Sequence, residues 1–308
     1  MSLHMASTNA PPNPPASSDA VLAAAGPTPA DSSAVAWDDK LLQNPHAVAD
    51  KQKRVQKMFA AIAPSYDLNN RVHSLWVDQY WRRKAVKLSN LKPTDRVVDV
   101  ACGTGDLTLK FADRLVDLKG KYGIDRGQVI GIDYTWEMLP IARRKAHRHD
   151  AVNIEPVEME FSPSVASIDD YAVFLNGDAQ RLPLPDACAD IVSIAFGIRN
   201  VADPARAIRE FYRVLRPGGR LIILEFSLPT NPVLRGMYNF YFRQILPRTA
   251  TLISGDKSGA YKYLPESVNT FIGREQMQGM MTVAGFTDVT QHAMTFGVCI
   301  CYRGIKVG

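Results

Sequence analysis

Cysteine is scarce in this chain, with only four among 308 residues. Their spacing fits neither a zinc motif nor the disulfide framework of a small secreted domain. Two of them, Cys299 and Cys301, fall in a strand-like run, where alternate residues point to the same face, and the others are Cys102 and Cys188. We therefore expect four reduced thiols, no bound metal and a cytoplasmic location, because glutathione keeps thiols reduced there.

Long hydrophobic runs are also absent. No stretch approaches the roughly 20 uninterrupted apolar residues that cross a bilayer, and a chain that is 46% hydrophobic and 22% charged has the composition of an ordinary globular protein. The charge bias is weak, at 36 Lys and Arg against 31 Asp and Glu. Because no basic patch interleaved with aromatic residues stands out, we expect no nucleic-acid partner.

The amino-terminal part has little to bury. Residues 1–49 are rich in Pro, Ala and Ser, which predicts a disordered arm, and residues 50–308 are expected to form one domain. Between residues 50 and 90, apolar side chains recur at helical spacing with a break at Ala63-Pro64. This pattern predicts two or three helices ahead of a sheet.

Short β-branched runs then alternate with helical stretches. Arg96–Val100 and Gln128–Asp133 flank the helical stretch Leu107–Val116, which indicates a βαβ unit. Right-handed crossovers then predict a doubly wound, mostly parallel α/β sheet. Three further runs continue it: Ala172–Leu175, Ile191–Phe196 and Leu221–Phe226.

The carboxyl-terminal part predicts a different ending for the sheet. Two runs, Thr287–Thr295 and Val298–Arg303, are separated only by Phe296-Gly297, which indicates an antiparallel hairpin and seven strands in total. A Rossmann-like sheet with this ending resembles the class I methyltransferases. Residues 227–273 exceed the usual loop length and predict a lid or substrate insertion.

A glycine-bearing loop, D-V-A-C-G-T-G-D at residues 99–106, follows the first strand. Glycine lets the backbone approach a ligand, but Thr108 stands at the third glycine position of the dinucleotide motif. Two glycines between acids instead suit the ammonium and carboxylate of S-adenosylmethionine, with Asp99 or Asp106 near the cation. A glycine turn that serves topology alone is the alternative.

Two more acids end parallel strands at the carboxyl edge, where open α/β sheets bind ligands. Asp133 ends the second strand, where a carboxylate can accept both ribose hydroxyls, and Tyr134 and Met138 are expected beside the adenine. Asp178 follows the third strand and is placed to bond the adenine amino group. The alternatives are a helix N-cap for Asp133 and an Asx turn for Asp178.

Several blocks between Arg54 and Lys306 closely resemble the ubiquinone/menaquinone biosynthesis C-methyltransferase family. The narrowest are F-G-I-R-N and Y-K-Y-L-P-E-S, whereas the R-P-G-G block is common to many methyltransferases. The blocks are residues 63–70, 191–201, 213–221, 224–227 and 261–267.

The resemblance implies that S-adenosylmethionine methylates a ring carbon of a polyprenylated quinol in respiratory quinone biosynthesis, most directly demethylmenaquinol to menaquinol. The alternatives are a polyprenyl methoxybenzoquinol, another lipid-like phenol, or an inactive cofactor-binding accessory protein. With the family's contacts added, the expected cofactor residues are Asp99, Gly103, Thr104, Gly105, Asp133, Tyr134, Met138, Asp178, Ala179 and Ala195.

The sequence also departs from the family pattern. Ala101-Cys102-Gly103 stands where the family often has two glycines, and residues 162–170 look inserted before the third strand. Thr270-Phe271-Ile272 replaces a segment that usually contains His-Pro. This last change puts the quinone preference in doubt.

Carbon methylation requires a quinol whose hydroxyl loses its proton as the ring carbon attacks. Arg199 follows the fourth strand, and its fixed cation could lower the hydroxyl pKa or hold the quinolate. Tyr66 and Asn200 complete the predicted catalytic set, with Tyr261 and Tyr263 as weaker candidates. The structural alternatives are an ion pair for Arg199, a turn cap for Asn200 and a buried core position for Tyr66.

The insertion contains more apolar residues than a solvated connection needs. It predicts a tunnel or membrane-facing lid for an isoprenoid tail, with peripheral contact at the inner face of the membrane. A helix packing the stripe Leu234, Met237, Tyr241 and Ile245 on the core is the alternative. The apolar residues of the insertion are Leu234, Met237, Tyr238, Phe240, Tyr241, Phe242, Ile245 and Leu246.

A homodimer is the remaining partner hypothesis.

Overall fold

A computed structural model describes residues 37–123, 127–148, 172–256 and 258–308. These residues form a seven-stranded sheet in the order β3-β2-β1-β4-β5-β7-β6. The first five strands are parallel, and β7 pairs antiparallel with both β5 and β6. The strands are β1 (Arg96–Val100), β2 (Gln128–Asp133), β3 (Ala172–Asn176), β4 (Ala189–Ala195), β5 (Leu215–Phe226), β6 (Phe286–Met294) and β7 (Cys299–Lys306).

The predicted fold class is confirmed, including the terminal hairpin. Residues 295–297 form a short 3-10 turn between β6 and β7. The strand β5 begins earlier than predicted, because Leu215 already pairs with Ala189 of β4, ahead of a register shift after which Arg220 pairs with Ile191. Cys299 and Cys301 share one buried face of β7, and all four cysteines are unpaired.

Helices cover both faces of the sheet, which explains why its central strands are apolar on both sides. One core cluster packs α3, α4 and α5 on the sheet, and a second packs α6 and α10 on the opposite face. The helices are α1 (Lys51–Ile62), α2 (Tyr66–Ser74), α3 (Val77–Leu88), α4 (Asp106–Tyr122), α5 (Leu139–Arg148), α6 (Pro204–Val214), α7 (Pro232–Phe240), α8 (Leu246–Ser254), α9 (Ala260–Asn269) and α10 (Arg274–Val283).

The strand order reverses between β1 and β4, since β1 lies between β2 and β4. A crevice opens at such a point, outside the carboxyl ends of the strands. The three helices ahead of the sheet were predicted, and α1 and α2 lie over this crevice.

Packed structure begins earlier than the predicted boundary at residue 49. Trp37 is buried against Tyr263, with ring centroids 4.5 Å apart, and its backbone N–H donates to the Ser258 carbonyl. Leu42 is buried as well. Residues 37–49 therefore belong to the domain, because these two side chains have apolar surface to bury. The rest of the predicted arm and the predicted insertion at residues 162–170 lie outside the described residues.

The long insertion is helical, and its buried stripe differs from the predicted one. Residues 241–245 form a π-helical turn between α7 and α8. Tyr238 is buried ahead of this turn, whereas Met237 is 65% exposed. Because the turn changes the phase of the helix, Leu246 rather than Ile245 is buried after it. The stripe through Met237 and Ile245, which was the alternative to a lid, is therefore wrong.

Candidate active site

Two cavities meet at the carboxyl edge of the sheet. The first, about 750 Å³, lies over the ends of β1, β2 and β3, and α1 covers it. The second, about 1210 Å³, lies between α2, α3 and the helices of the insertion. Both volumes include space at the open mouths. Phe59, Tyr66 and Phe196 line both cavities, and we call this shared boundary the window.

Asp133 is the central polar group of the first cavity. Its Oδ2 accepts the Gly103 N–H and its Oδ1 accepts the Thr135 N–H, each at 2.7 Å. Burial raises the pKa of the Asp133 carboxyl. The helical turn that follows begins at Trp136 with Thr135 as its N-cap, so the N-cap alternative for Asp133 is wrong. Since a carboxylate has about four acceptor positions, the same side chain retains lone pairs for a ligand.

Asp178 stands beside it and is held from two sides. Its Oδ2 accepts from Gln52 Nε2 of α1 at 2.9 Å, and its Oδ1 accepts the Gln180 N–H at 2.9 Å. The second bond is the Asx turn that was the structural alternative. Gln52 was not identified from sequence, because its helical spacing said nothing about which residue reaches across to the third strand.

The structure brings most of the predicted cofactor residues together. Those lining the first cavity are Gly103, Asp133, Tyr134, Met138, Asp178, Ala179 and Ala195.

Asp99, Thr104 and Gly105 do not line this cavity. Asp99 is buried beneath the loop, where it accepts the Thr108 and Ser193 hydroxyls at 2.7 Å, and burial raises the pKa of its carboxyl to about 6. Its predicted place beside the cofactor cation is corrected, because both oxygens support the loop from below.

Thr104 and Gly105 shape the same loop. The Thr104 hydroxyl donates to Asp67 of α2 at 2.6 Å. Gly105 has a φ of 84°, and a Cβ there would approach Ala142 and Phe174 to 3.1 and 3.2 Å. Only glycine suits that conformation at such close packing.

An ion-pair network ties the helices ahead of the sheet to the loop. Asp106 accepts from Arg71 at 2.7 Å and from Lys145 at 2.5 Å, and Arg71 also reaches Asp78 at 2.7 Å. Burial alone would raise the pKa of Asp106, but Arg82, Lys145 and Arg71 outweigh it and hold that pKa far below its usual value. Asp106 is thus occupied by protein cations.

Arg199 lines the second cavity and is 4% exposed. Its guanidinium donates to Glu225 Oε1 at 2.6 Å and to the Phe196 carbonyl at 2.7 Å, and its Cζ lies 5.3 Å from the Phe226 ring centroid. The ion pair considered as a structural alternative is therefore real. It also fixes a cation at the cavity wall.

Glu225 was missed from sequence, although a signal was available. It sits within the apolar strand β5 and is 2% exposed. A buried carboxylate requires a partner, and Arg199 is the cation that meets it.

Asn200 contacts the insertion, and its bonds differ from the turn cap considered as the alternative. Its Oδ1 accepts from the Tyr263 hydroxyl at 2.9 Å, and its amide donates to the Phe196 carbonyl at 3.3 Å. Lys51 of α1 donates to the Arg199 and Val201 carbonyls at 2.8 and 2.7 Å. The loop after β4 is therefore held by α1 and α9 together.

The window residues explain part of the F-G-I-R-N block. Phe196 has a φ of 57°, an unusual conformation for a bulky residue. A Cβ on the following Gly197 would lie 2.6 Å from Ala101 Cβ, so a glycine is required. Tyr66 packs edge-on to Phe59 at 5.9 Å, and burial raises the pKa of its hydroxyl.

This sheet order, with a pocket at the carboxyl edge and a glycine loop below it, is that of the class I methyltransferases. The fold and the site place the chain in that class. More narrowly, the model of the ubiE/COQ5 methyltransferase family matches residues 47–306, and the chain belongs to that family. The family resemblance found in the sequence is confirmed.

Several curated relatives match nearly their whole length. A demethylmenaquinone methyltransferase from Thermus thermophilus is 43% identical over 80% of this chain and 99% of its own. One from Deinococcus radiodurans is 40% identical over 86% of this chain and 98% of its own. A ubiquinone/menaquinone biosynthesis C-methyltransferase from Geobacter sp. is 38% identical over 85% of this chain and 100% of its own.

Among solved structures, a Thermotoga maritima protein described as a SAM-dependent methyltransferase, possible histamine N-methyltransferase, has a TM-score of 0.50. The match covers 82% of this chain and 99% of that protein at 22% identity. At this level of identity the likeness concerns the fold.

Proposed function

We propose that this protein transfers a methyl group from S-adenosylmethionine to a ring carbon of demethylmenaquinol. The observation that carries the proposal is the pair of cavities joined at Phe59, Tyr66 and Phe196. One cavity has strand-end carboxylates suited to a nucleoside, and the other is walled by aromatic residues with two buried arginines. Such an arrangement holds two different ligands end to end, as methyl transfer requires.

The residues of the first cavity suit S-adenosylmethionine. Asp133 retains acceptors for ribose hydroxyls, Asp178 is placed for the adenine amino group, and Tyr134 and Met138 flank the remaining space. Ala195 leaves room beside the window because its side chain is small. When bound, S-adenosylmethionine supplies an electrophilic methyl group.

The second cavity suits a prenylated ring. Phe196 and Phe226 lie with centroids 4.6 Å apart, and Trp81 packs edge-on to Phe226 at 5.9 Å. The cation of Arg199 at the cavity wall stabilises a ring oxygen that loses its proton. Tyr66, at the window, keeps the two reactants aligned.

The family relatives support the naphthoquinol. The matched proteins from Thermus thermophilus and Deinococcus radiodurans are both named demethylmenaquinone methyltransferases. The segment Thr270–Ile272, which departs from the family pattern, packs Phe271 on the His46 ring at 5.3 Å. The segment therefore lies outside the walls of both cavities.

The deciding experiment measures label transfer by the purified full chain. Labelled S-adenosylmethionine is offered with short-chain demethylmenaquinol, with a matched polyprenyl methoxybenzoquinol, or with no acceptor. We expect transfer to the naphthoquinol at the highest kcat/KM. Greater transfer to the benzoquinol would show that the benzoquinol, not demethylmenaquinol, is the substrate. Cofactor binding without transfer to any quinol would support an accessory role.

We also infer a peripheral location at the cytoplasmic face of the membrane, because a long isoprenoid tail stays in lipid. Within the described residues, no helix has the length and apolarity to span a bilayer. Two neighbouring segments, the end of α2 and the helices α7 and α8, are linked by a bond between His73 and Thr249 at 2.8 Å. Their exposed apolar residues are Leu68, Leu75, Trp76, Val233, Met237, Phe240, Ile245, Leu252 and Ile253.

The charge of this surface suits anionic lipid. Residues 228–255 contain Arg235, Arg243 and Arg248 and no Asp or Glu. Basic groups beside exposed apolar side chains are typical of helices that lie in a membrane interface. Leu75 and Trp76 are 78% and 60% exposed and both have left-handed backbone, which forms an apolar tip.

Replacing both tip residues, as Leu75→Asn with Trp76→Asn, should weaken binding to phosphatidylglycerol-rich vesicles roughly tenfold or more, because two apolar side chains that enter the lipid on binding are lost. Asparagine tolerates the left-handed conformation. The matched control is Val283→Asn, which alters an 86% exposed apolar residue of α10. If both variants have equal affinity for vesicles in a sedimentation assay, the tip does not contribute to membrane binding.

The homodimer stays a prediction. Light scattering of the purified chain, which gives its molar mass in solution, is the measurement that decides it.

A further inference from the structure

Several buried polar atoms of the second cavity have no hydrogen-bond partner within the described residues. They are Asn69 Oδ1, Arg82 Nε, Tyr238 Oη and Tyr261 Oη. Asn69, Arg82 and Tyr238 are 3%, 6% and 7% exposed. A buried polar group without a partner costs free energy. Groups of this kind lining one cavity indicate a ligand with complementary polar atoms.

Among these atoms, Arg82 Nε belongs to a charged group and still has no hydrogen-bond partner. Its Nε lies 3.7 Å from Asp78 and 3.8 Å from Asp106, beyond hydrogen-bonding distance. The same carboxylate oxygens already accept from Arg71 at 2.7 Å. The guanidinium of Arg82 is therefore neutralised by its neighbours but retains a free donor.

The two buried arginines of the cavity are arranged about one aromatic pair. Arg82 Cζ lies 5.2 Å from the Phe196 ring centroid, and Arg199 Cζ lies 5.3 Å from that of Phe226. The two rings have centroids 4.6 Å apart. A flat aromatic ligand at this wall would meet a cationic donor near each end.

We propose that Arg82 and Asn69 form a second oxygen-binding subsite, which holds the ring hydroxyl of the acceptor that Arg199 does not. This inference rests on the proposed quinol substrate and makes Arg82 a positioning residue. Asn69 and Arg82 line the same cavity, and an unpaired acceptor and an unpaired donor complement a hydroxyl, which both donates and accepts. Anchoring both oxygens fixes which ring carbon faces the window.

The amino-acid tail of the cofactor is the competing occupant. Its carboxylate could accept from Arg82 and its ammonium could donate to Asn69 Oδ1, so the position of these residues, rather than their hydrogen-bonding chemistry, separates the two occupants. Arg82 lines the second cavity and is absent from the wall of the first. The geometry therefore favours the acceptor ring.

The test measures binding with S-adenosylhomocysteine present, so that no methyl group is transferred. The probes are short-chain demethylmenaquinol and the two prenylated naphthols that each keep one of its hydroxyls. Wild type should bind the diol roughly ten- to hundredfold better than either naphthol. Arg82→Met should abolish the preference over one naphthol only, and Arg199→Met should abolish the preference over the other.

Asn69→Leu, which removes the acceptor at nearly the same volume, should affect the same naphthol as Arg82→Met. Arg82→Lys keeps the cation and should retain part of the preference. The matched control is Arg83→Met, since Arg83 is exposed on the same helix. Melting curves of all variants show whether each is folded.

Three outcomes separate the ideas. Full retention of both preferences in folded Arg82→Met and Asn69→Leu overturns the subsite. Weaker binding of S-adenosylhomocysteine by tenfold or more, with the preferences unchanged, overturns it in favour of the cofactor tail. Absence of methyl transfer to the diol by wild type refutes the proposed function instead, while the binding preferences still test the subsite.

Discussion

Arg199→Met should lower kcat for methyl transfer by roughly 10²- to 10³-fold, the usual effect of losing one preorganised electrostatic group. Arg199 is the buried cation whose charge remains fixed beside the second cavity. Without it, a ring oxygen losing its proton faces aromatic walls and the Glu225 carboxylate. The KM for S-adenosylmethionine should stay near the wild-type value, because Arg199 is absent from the wall of the first cavity.

A fall in activity could also come from damage to the fold. Arg199→Met leaves Glu225 buried without its cation, which typically costs about 3–5 kcal/mol. The double variant Arg199→Met with Glu225→Gln removes both charges and should recover much of the lost melting temperature. It should remain as inactive as the single variant. A double variant with near wild-type kcat would reduce Arg199 to a structural role.

Asp133→Asn should raise the Kd of S-adenosylhomocysteine roughly 10²-fold, which corresponds to about 3 kcal/mol for bonds to a charged acceptor. The carboxylate already accepts the Gly103 and Thr135 N–H groups at 2.7 Å. An asparagine amide would turn one N–H toward these donors. It would therefore lose a ligand acceptor and misplace the loop at the same time. Calorimetry gives the affinity directly.

The matched control for this change is Glu137→Gln, an exposed acid four residues further along. It should leave the Kd unchanged. A cofactor analogue without the ribose 2′-hydroxyl separates the two effects of Asp133→Asn. Wild type should bind that analogue more weakly than it binds S-adenosylhomocysteine. Asp133→Asn should bind the two compounds with nearly the same affinity. Unchanged affinity of Asp133→Asn would end the assignment of Asp133 to the ribose.

The sequence predicted the fold well because its signals are local. Strands β1 and β2 carry β-branched runs with clear boundaries, and both were located residue for residue. Right-handed crossovers and the short connection at Phe296-Gly297 then led to the parallel sheet and its antiparallel end. The buried stripe of the insertion could not be predicted, because a π-helical turn changes the helical phase without an evident sequence signal.

The residues of the site also divide into those whose place follows from local sequence signals and those whose place does not. Asp133 and Asp178 end strands, so their position at the carboxyl edge follows from the sheet itself. Asp99 also precedes the glycine loop, yet it turns beneath it toward Thr108 and Ser193. Strand periodicity tells which face a residue occupies, but it does not tell whether that face is cavity or core.

By itself, the sequence determined a seven-stranded α/β sheet, its cofactor edge and the family to which the chain belongs. These depend on residue order and on motifs of adjacent residues. Only the tertiary structure decided that Arg199 pairs with Glu225, that Tyr66 stands at a window between two cavities, and that Arg82 keeps a free donor in the second. Each of these joins residues far apart in the chain, and their meeting depends on the packing of helices on the sheet.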